Sequence, residues 1–187
     1  MSTPDISANI LILSPPEGAQ ILPADVVKTL RGIDFIGNSY PESDERDFHP
    51  GTKLMHHLTF LGCSPALALG EPGINGDQYC HIELLGPLQQ PQLILGQNRK
   101  PMVCPHCHQR SRPHEIVAQQ WHCPHCRQAT PLSAINWRKS GGYGHFFIKV
   151  WGIFESEAVP GDALRKGLSS LSEGEPWRYF YYRGAPF

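Results

Sequence analysis

The sequence predicts an α+β body, a mainly antiparallel sheet with one or two helices, interrupted by a cysteine-rich insert. Three observations carry that expectation. Residues 1–98 hold short apolar runs of strand length separated by turn-rich stretches. Residues 140–187 read as strand, helix, strand. Between them, residues 99–139 change character, with two Cys-x-x-Cys pairs and a strongly basic balance. The body is therefore expected from 1–98 together with 140–187, with 99–139 inserted between sheet strands. A ferredoxin-like connectivity is one arrangement that fits this order.

Taken in order, Ile10 to Leu13 is a short apolar run stopped by Pro15 and Pro16, read as an edge strand or a tethered arm. Residues 23–31 begin with proline and end at Gly32; Val26, Val27 and Leu30 give a short helix an apolar face. Residues 38–52 are polar, acidic and rich in turn formers, which predicts a surface loop. Leu54 to Gly62 alternates, with Leu54, His56, Leu58 and Phe60 on one face, and Tyr79 to Leu85 alternates again, so the two predict a hairpin with a long connection. Leu93 to Leu95 is a third, shorter run.

Beyond the insert, Thr130-Pro131 is a good start for a short helix through about Arg138. Ser140-Gly-Gly-Tyr-Gly144 reads as a flexible hinge without phosphate-loop spacing. His145 to Phe154 is the best strand, rich in aromatic and β-branched residues. Asp162 opens the best helix, in which Leu164, Leu168 and Leu171 share a face, and Gly174 ends it. Trp177 to Arg183 closes the sheet.

Composition bounds the function. Hydrophobic residues make up 40% and charged residues 18%, so disorder is not expected. Eighteen glycines and eighteen prolines exceed the usual combined share of roughly 12%, which implies many turns around short elements. No apolar run reaches membrane-span length, and the first eighteen residues lack a basic, then apolar, leader pattern. With four of six cysteines in metal spacing, reduced thiols and a cytoplasmic location are expected. The formal net charge of −1 hides an asymmetry. Residues 99–139 carry seven basic residues (Arg99, Lys100, Arg110, Arg112, Arg127, Arg138, Lys139) and one acid, Glu115, so the remainder is at −7. A basic insert on an acidic body suits either a protein or nucleic-acid partner, or docking on its own body.

The insert repeats itself. Cys104-Pro-His-Cys107 returns as Cys123-Pro-His-Cys126, with fifteen residues between the pairs. Each pair can turn two thiolates toward one ion, and two pairs offer the four sulfurs that structural Zn²⁺ prefers. Residues 99–139 resemble a zinc ribbon. The resemblance implies that Cys104, Cys107, Cys123 and Cys126 are the metal ligands, that Zn²⁺ is the metal with iron the lesser alternative, and that Val117 to His122 delivers the second knuckle as a strand. Where many ribbons place glycine directly after the second cysteine, this chain has His108 and Arg127. A thiol-oxidoreductase reading of the same motif needs a helix after the first cysteine, and His108 to Pro113 is a poor helix start.

The function expected from sequence is a non-catalytic zinc protein whose ribbon presents a basic surface to a partner. Two alternatives stand beside it: a metal-transfer protein, and an enzyme with a Cys/His site on the body built from His56, His57, Cys63, Cys80 and His81, with His49 nearby. Two weaker constellations are an aromatic face of Phe147, Trp151, Tyr179 and Tyr181, which would stack bases if exposed, and the strand-end pair Glu155 and Glu157.

Overall fold

A computed structural model describes residues 8–41, 45–62, 67, 69, 79–112 and 116–185. The amino-terminal part runs β1 (Ala8–Ser14), α1 (Pro23–Gly32), β2 (Ile36–Ser39), β3 (Asp47–Pro50), α2 (Leu54–His57), β4 (Leu58–Phe60), β5 (Ile82–Leu85) and β6 (Gln92–Leu95). The cysteine-rich stretch is built of β7 (Met102–Val103), β8 (Arg110–Ser111), β9 (Ile116–Val117), β10 (Gln120–His122) and β11 (Ala129–Pro131). The chain closes with β12 (Gly141–Gly144), β13 (Phe147–Trp151), β14 (Ala158–Pro160), α3 (Asp162–Ser169) and β15 (Arg178–Gly184).

The main sheet is six-stranded in the order β15-β1-β13-β5-β3-β2, antiparallel throughout. Its first four strands, with α1 and α3, read β1-α1-β5-β13-α3-β15. This is a β-α-β-β-α-β unit in which β1 lies between β13 and β15 while β13 lies between β1 and β5. The α+β class and the ferredoxin-like option both follow from this order. No helix among the described residues is long and apolar enough to cross a membrane.

Strand parity sorts the side chains onto two faces. Leu11 and Leu13, Ile148 and Val150, Ile82 and Leu84 meet Val26 and Leu30 of α1 and Leu164 and Leu168 of α3. Ala8, Ile10, Ile12, Phe147 and Phe180 face the other way and pack with Ile94 of β6. Burial of seven successive residues in β1 reflects its central position, with apolar cover on both faces. The edge-strand or arm reading of Ile10 to Leu13 is thereby corrected: the prolines end the strand but do not expose it.

Three other local expectations give way to long-range pairing. Leu54 to His57 is a helical turn, and β4 pairs with β14, not with β5, so the hairpin of 54–62 with 79–85 does not form. The polar stretch 38–52 contains β3 and the end of β2, which extend the sheet beyond β5. Thr130-Pro131 ends β11 and leads only into a short 3-10 turn at Leu132–Ala134.

The glycine-rich hinge is in fact β12, paired with β6. Its glycines serve close approach. A Cβ on Gly142 would lie 2.3 Å from the Phe180 ring, and one on Gly141 2.3 Å from Leu95 Cδ2. Side chains at these positions would push the β6–β12 pair off the sheet face it covers.

Candidate metal centre

Each cysteine pair sits in a turn between two short strands. β7 leads into Cys104–Cys107 and β8 leaves it, pairing back in register; β10 leads into Cys123–Cys126 and β11 leaves it in the same way. The two turns share their hydrogen bonds. The Cys104 N–H donates to Gln109 O at 3.0 Å and the His108 N–H to Cys104 O at 3.0 Å; the Cys123 N–H donates to Gln128 O at 3.0 Å and the Arg127 N–H to Cys123 O at 2.8 Å. His108 and Arg127 both adopt φ of 59°. The left-handed position that glycine fills in many ribbons is thus kept here by two side-chain-bearing residues, at a modest local cost.

The repeat brings four sulfurs together. Cys104 Sγ lies 3.7 Å from Cys126 Sγ, Cys107 Sγ lies 3.7 Å from Cys123 Sγ, and all four sulfurs fall within 4.8 Å of one another. Zinc–sulfur bonds of about 2.3 Å directed to tetrahedron corners require sulfurs roughly 3.8 Å apart, so this set fits the ion. A disulfide needs about 2.05 Å, and the 3.7 Å separations are far longer. Cys104 and Cys123 are buried against Met102, Trp121, Leu132, Ile135 and Trp137, while Cys107 and Cys126 are half-buried. The first cysteine of each pair therefore belongs to the small core of the cysteine-rich stretch and the second to its rim.

The electrostatics also call for a cation. Four thiols this close titrate as a set, because like charges at these distances oppose one another. Burial raises the Cys123 thiol, but the Cys126 and His125 amides and the neighbouring sulfurs outweigh it and bring Cys123 down to about 6. The Gln109 amide lowers Cys107, yet burial and the other three sulfurs hold it up at about 12. A divalent cation centred among the four sulfurs would offset that mutual repulsion and let them ionise together. The His106 N–H is directed at Cys104 Sγ at 3.4 Å, which holds the first turn around its leading sulfur. Both pairs lie between strands and not at a helix start, which removes the geometry a thiol oxidoreductase uses.

The alternative site on the body does not assemble from its described members. Cys80 is buried among apolar side chains, and burial pushes its thiol up to about 12, far from a nucleophilic thiolate. His57 is buried with Nε2 2.6 Å from Ile33 O, tying α2 to the end of α1, while His56 is exposed. Cys63 lies outside the described residues. Phe147 and Trp151 face one side of the sheet and Tyr179 and Tyr181 the other, so the four aromatics do not form one platform. Glu155 receives Lys100 at 2.6 Å, and Glu157 accepts the Phe154 N–H at 2.9 Å, so each carboxylate has a structural partner.

His81 instead meets two carboxylates that sequence reasoning passed over. Asp47, Glu83 and Lys149 stand directly opposite one another across β3, β5 and β13. Ligand atoms of Asp47, His81 and Glu83 lie within 4.8 Å of one another. The cation there is the chain's own: the Lys149 ammonium, 1% exposed, sits 2.8 Å from Glu83 Oε1, and Trp151 Nε1–H donates to Glu83 Oε2 at 2.9 Å. The His81 ring stacks between Tyr79 and Trp151, with centroids at 4.6 and 4.9 Å. Only the pairing of β5 with β13 and β3 creates this cluster, and no local motif announces it.

Burial lowers the His81 pKa from 6.5, against the opposing pull of the Tyr79 carbonyl, Asp47 and Glu83. The unfolded chain then takes up this proton first, so the His81 contribution is complete above 6.5 and is lost as the pH falls through that value toward the lower folded one. His81→Gln is expected to lose less thermal stability than the parent between about pH 7 and 5. Parallel loss in the two proteins, measured by calorimetry, would remove His81 as a source of acid sensitivity.

The basic residues of 99–139 divide. Lys100 pairs with Glu155, Lys139 lies 4.2 Å over the Tyr179 ring and donates to its hydroxyl, and Arg138 donates to Pro101 O at 3.3 Å. Arg99, Arg110, Arg112 and Arg127 are exposed. Leu93, Leu95 and Tyr143 of β6 and β12 pack against the core of the cysteine-rich stretch, and Tyr143 donates to Gln119 Oε1 at 2.7 Å. No protein-family model matches the chain, and no curated protein or solved structure gives a significant match.

Proposed function

We propose that Cys104, Cys107, Cys123 and Cys126 hold one Zn²⁺ as a folding staple, and that residues 99–139 form an inserted ribbon that presents a basic surface to an anionic partner. The observation that carries the first part is the four-sulfur geometry: separations of 3.7 Å are those of a closed zinc tetrahedron. A closed set leaves no position for an activated water, so the ion's chemistry is structural. Burial of Cys104 and Cys123 in the ribbon core favours folding over metal transfer, since releasing the ion would open that core.

The second part rests on the exposure of Arg110, Arg112 and Arg127 and of Val103, Ile116 and Val117, which are 40%, 37% and 62% exposed, with Val103 directly opposite Arg110 across β7 and β8. Cations interleaved with apolar surface suit a phosphate backbone or an acidic protein face. Binding of the full chain to single-stranded RNA, duplex DNA and an acidic protein, followed across a salt series, separates these partners. Replacing Arg110 and Arg127 together by glutamine is expected to weaken the true partner about tenfold or more at low salt and to flatten the salt slope. Salt-insensitive binding, or none to any of the three, would dispose of the electrostatic reading.

A further inference from the structure

A cleft of about 520 Å³ lies on the seam between the ribbon and the body. That volume is within the roughly 300–1,000 Å³ typical of small-molecule sites. The segment Leu132 to Lys139 lines it, together with the end of β1, the first residues of β12 and Trp177 to Phe180 at the start of β15. None of the four ribbon cysteines is part of its lining.

Its chemistry is uneven in an informative way. Three cations, Arg138, Lys139 and Arg178, line the cleft with one acid, Glu17, in a chain whose net charge is −1. The rings of Trp137, Tyr143, Tyr179 and Trp177 share the lining. Arg178 is exposed and makes no ion pair among the described residues. Trp177 is 7% exposed, and its indole N–H, without an acceptor among the described residues, is shut off from the cleft.

We propose that this cleft binds a nucleoside phosphate. Arg178 and Lys139 engage the phosphate, the half-buried Tyr143 and Tyr179 rings take the base, and the Glu17 carboxylate supplies an acceptor for its polar edge. Phosphate alone would leave the Tyr143 and Tyr179 rings unused, and an apolar ligand would leave the exposed Arg178 guanidinium without a partner. The phosphate can belong to a free nucleotide or to the end of an RNA strand. The assignment goes beyond the zinc reading, since none of its contacts is made by a sulfur.

The test uses the full metal-loaded chain, titrated with adenosine 5′-monophosphate, adenosine, inorganic phosphate and a 5′-phosphorylated oligoadenylate, read by calorimetry and tryptophan fluorescence. Adenosine 5′-monophosphate is expected to bind saturably, with adenosine and phosphate each weaker by about tenfold or more. Arg178→Gln and Lys139→Gln should each weaken it by roughly 5- to 20-fold with metal content unchanged. Arg178 is exposed, so its variant keeps the test open even if Lys139→Gln disturbs packing at Tyr179. Tighter binding of the oligomer assigns the phosphate to a strand end, and equal binding assigns it to a free nucleotide. Absence of saturation by both phosphorylated probes up to about 5 mM, or affinity unchanged in both variants, overturns the assignment.

Discussion

Cys107→Ser is expected to lose the metal and unfold the ribbon while leaving the six-stranded sheet in place. Cys107 is the more telling position than Cys104. It is half-buried at the rim, whereas Cys104 is fully buried and its hydroxyl replacement would also disturb packing. Structural zinc contributes on the order of 10–16 kcal/mol of apparent binding free energy in small zinc domains, and that energy is folding energy. The ribbon has little else to replace it: its own core is a handful of side chains around Trp121 and Trp137. The main core around β1, α1 and α3 uses none of them. Metal content should therefore fall by about tenfold or more, tryptophan emission should shift to the red, and most of the far-ultraviolet signal should persist. Cys80→Ala is the control, because Cys80 lies in the main core and should leave the metal untouched. Freshly purified, reduced parent protein with neither zinc nor iron would sink the proposal outright.

What the sequence made legible was decided by range. The doubled cysteine motif carries its own turn chemistry, so its strands, hydrogen bonds and sulfur cluster follow from residues within about two dozen positions of one another. The helices were equally local: α1 and α3 bury the apolar faces that Val26, Leu30, Leu164 and Leu168 announce. Pairing was not local. Ile10 to Leu13 reads as an edge because prolines follow it, yet it becomes central when β13 and β15 claim its two sides. Gly141 and Gly142 read as a hinge because flexibility and close approach use the same residue, and only their neighbours, Leu95 for Gly141 and the Phe180 ring for Gly142, distinguish the two. The Asp47, His81, Glu83 and Lys149 cluster was invisible for the same reason, being assembled on β3, β5 and β13, between which lie α2, β4 and the whole of β6 to β12.

That cluster yields the second large effect. Glu83→Leu should destabilise the body by about 3 kcal/mol, near the lower end of what breaking a buried ion pair costs. Lys149 is 1% exposed and Glu83 21%, so the pair is poorly solvated and its ammonium cannot turn to water when the carboxylate goes. Asp47, in line on the next strand, moderates the loss. Its carboxyl is raised first by burial and then by Glu83, so removing Glu83 makes Asp47 the easier anion and leaves Lys149 some compensation. For a chain of this size the cost corresponds to a fall in Tm of roughly 6–12 °C. The decisive comparison adds Lys149→Met. Removing the ammonium as well eliminates a buried charge that Asp47 offsets only in part, leaving chiefly the Trp151 N–H without its Glu83 acceptor, a loss of about 1 kcal/mol. The double variant is thus expected to be more stable than Glu83→Leu alone, although it carries one more substitution. Additive losses in the two single variants and the double would show instead that the two charges contribute separately, and that the pair across β5 and β13 does not act as a unit.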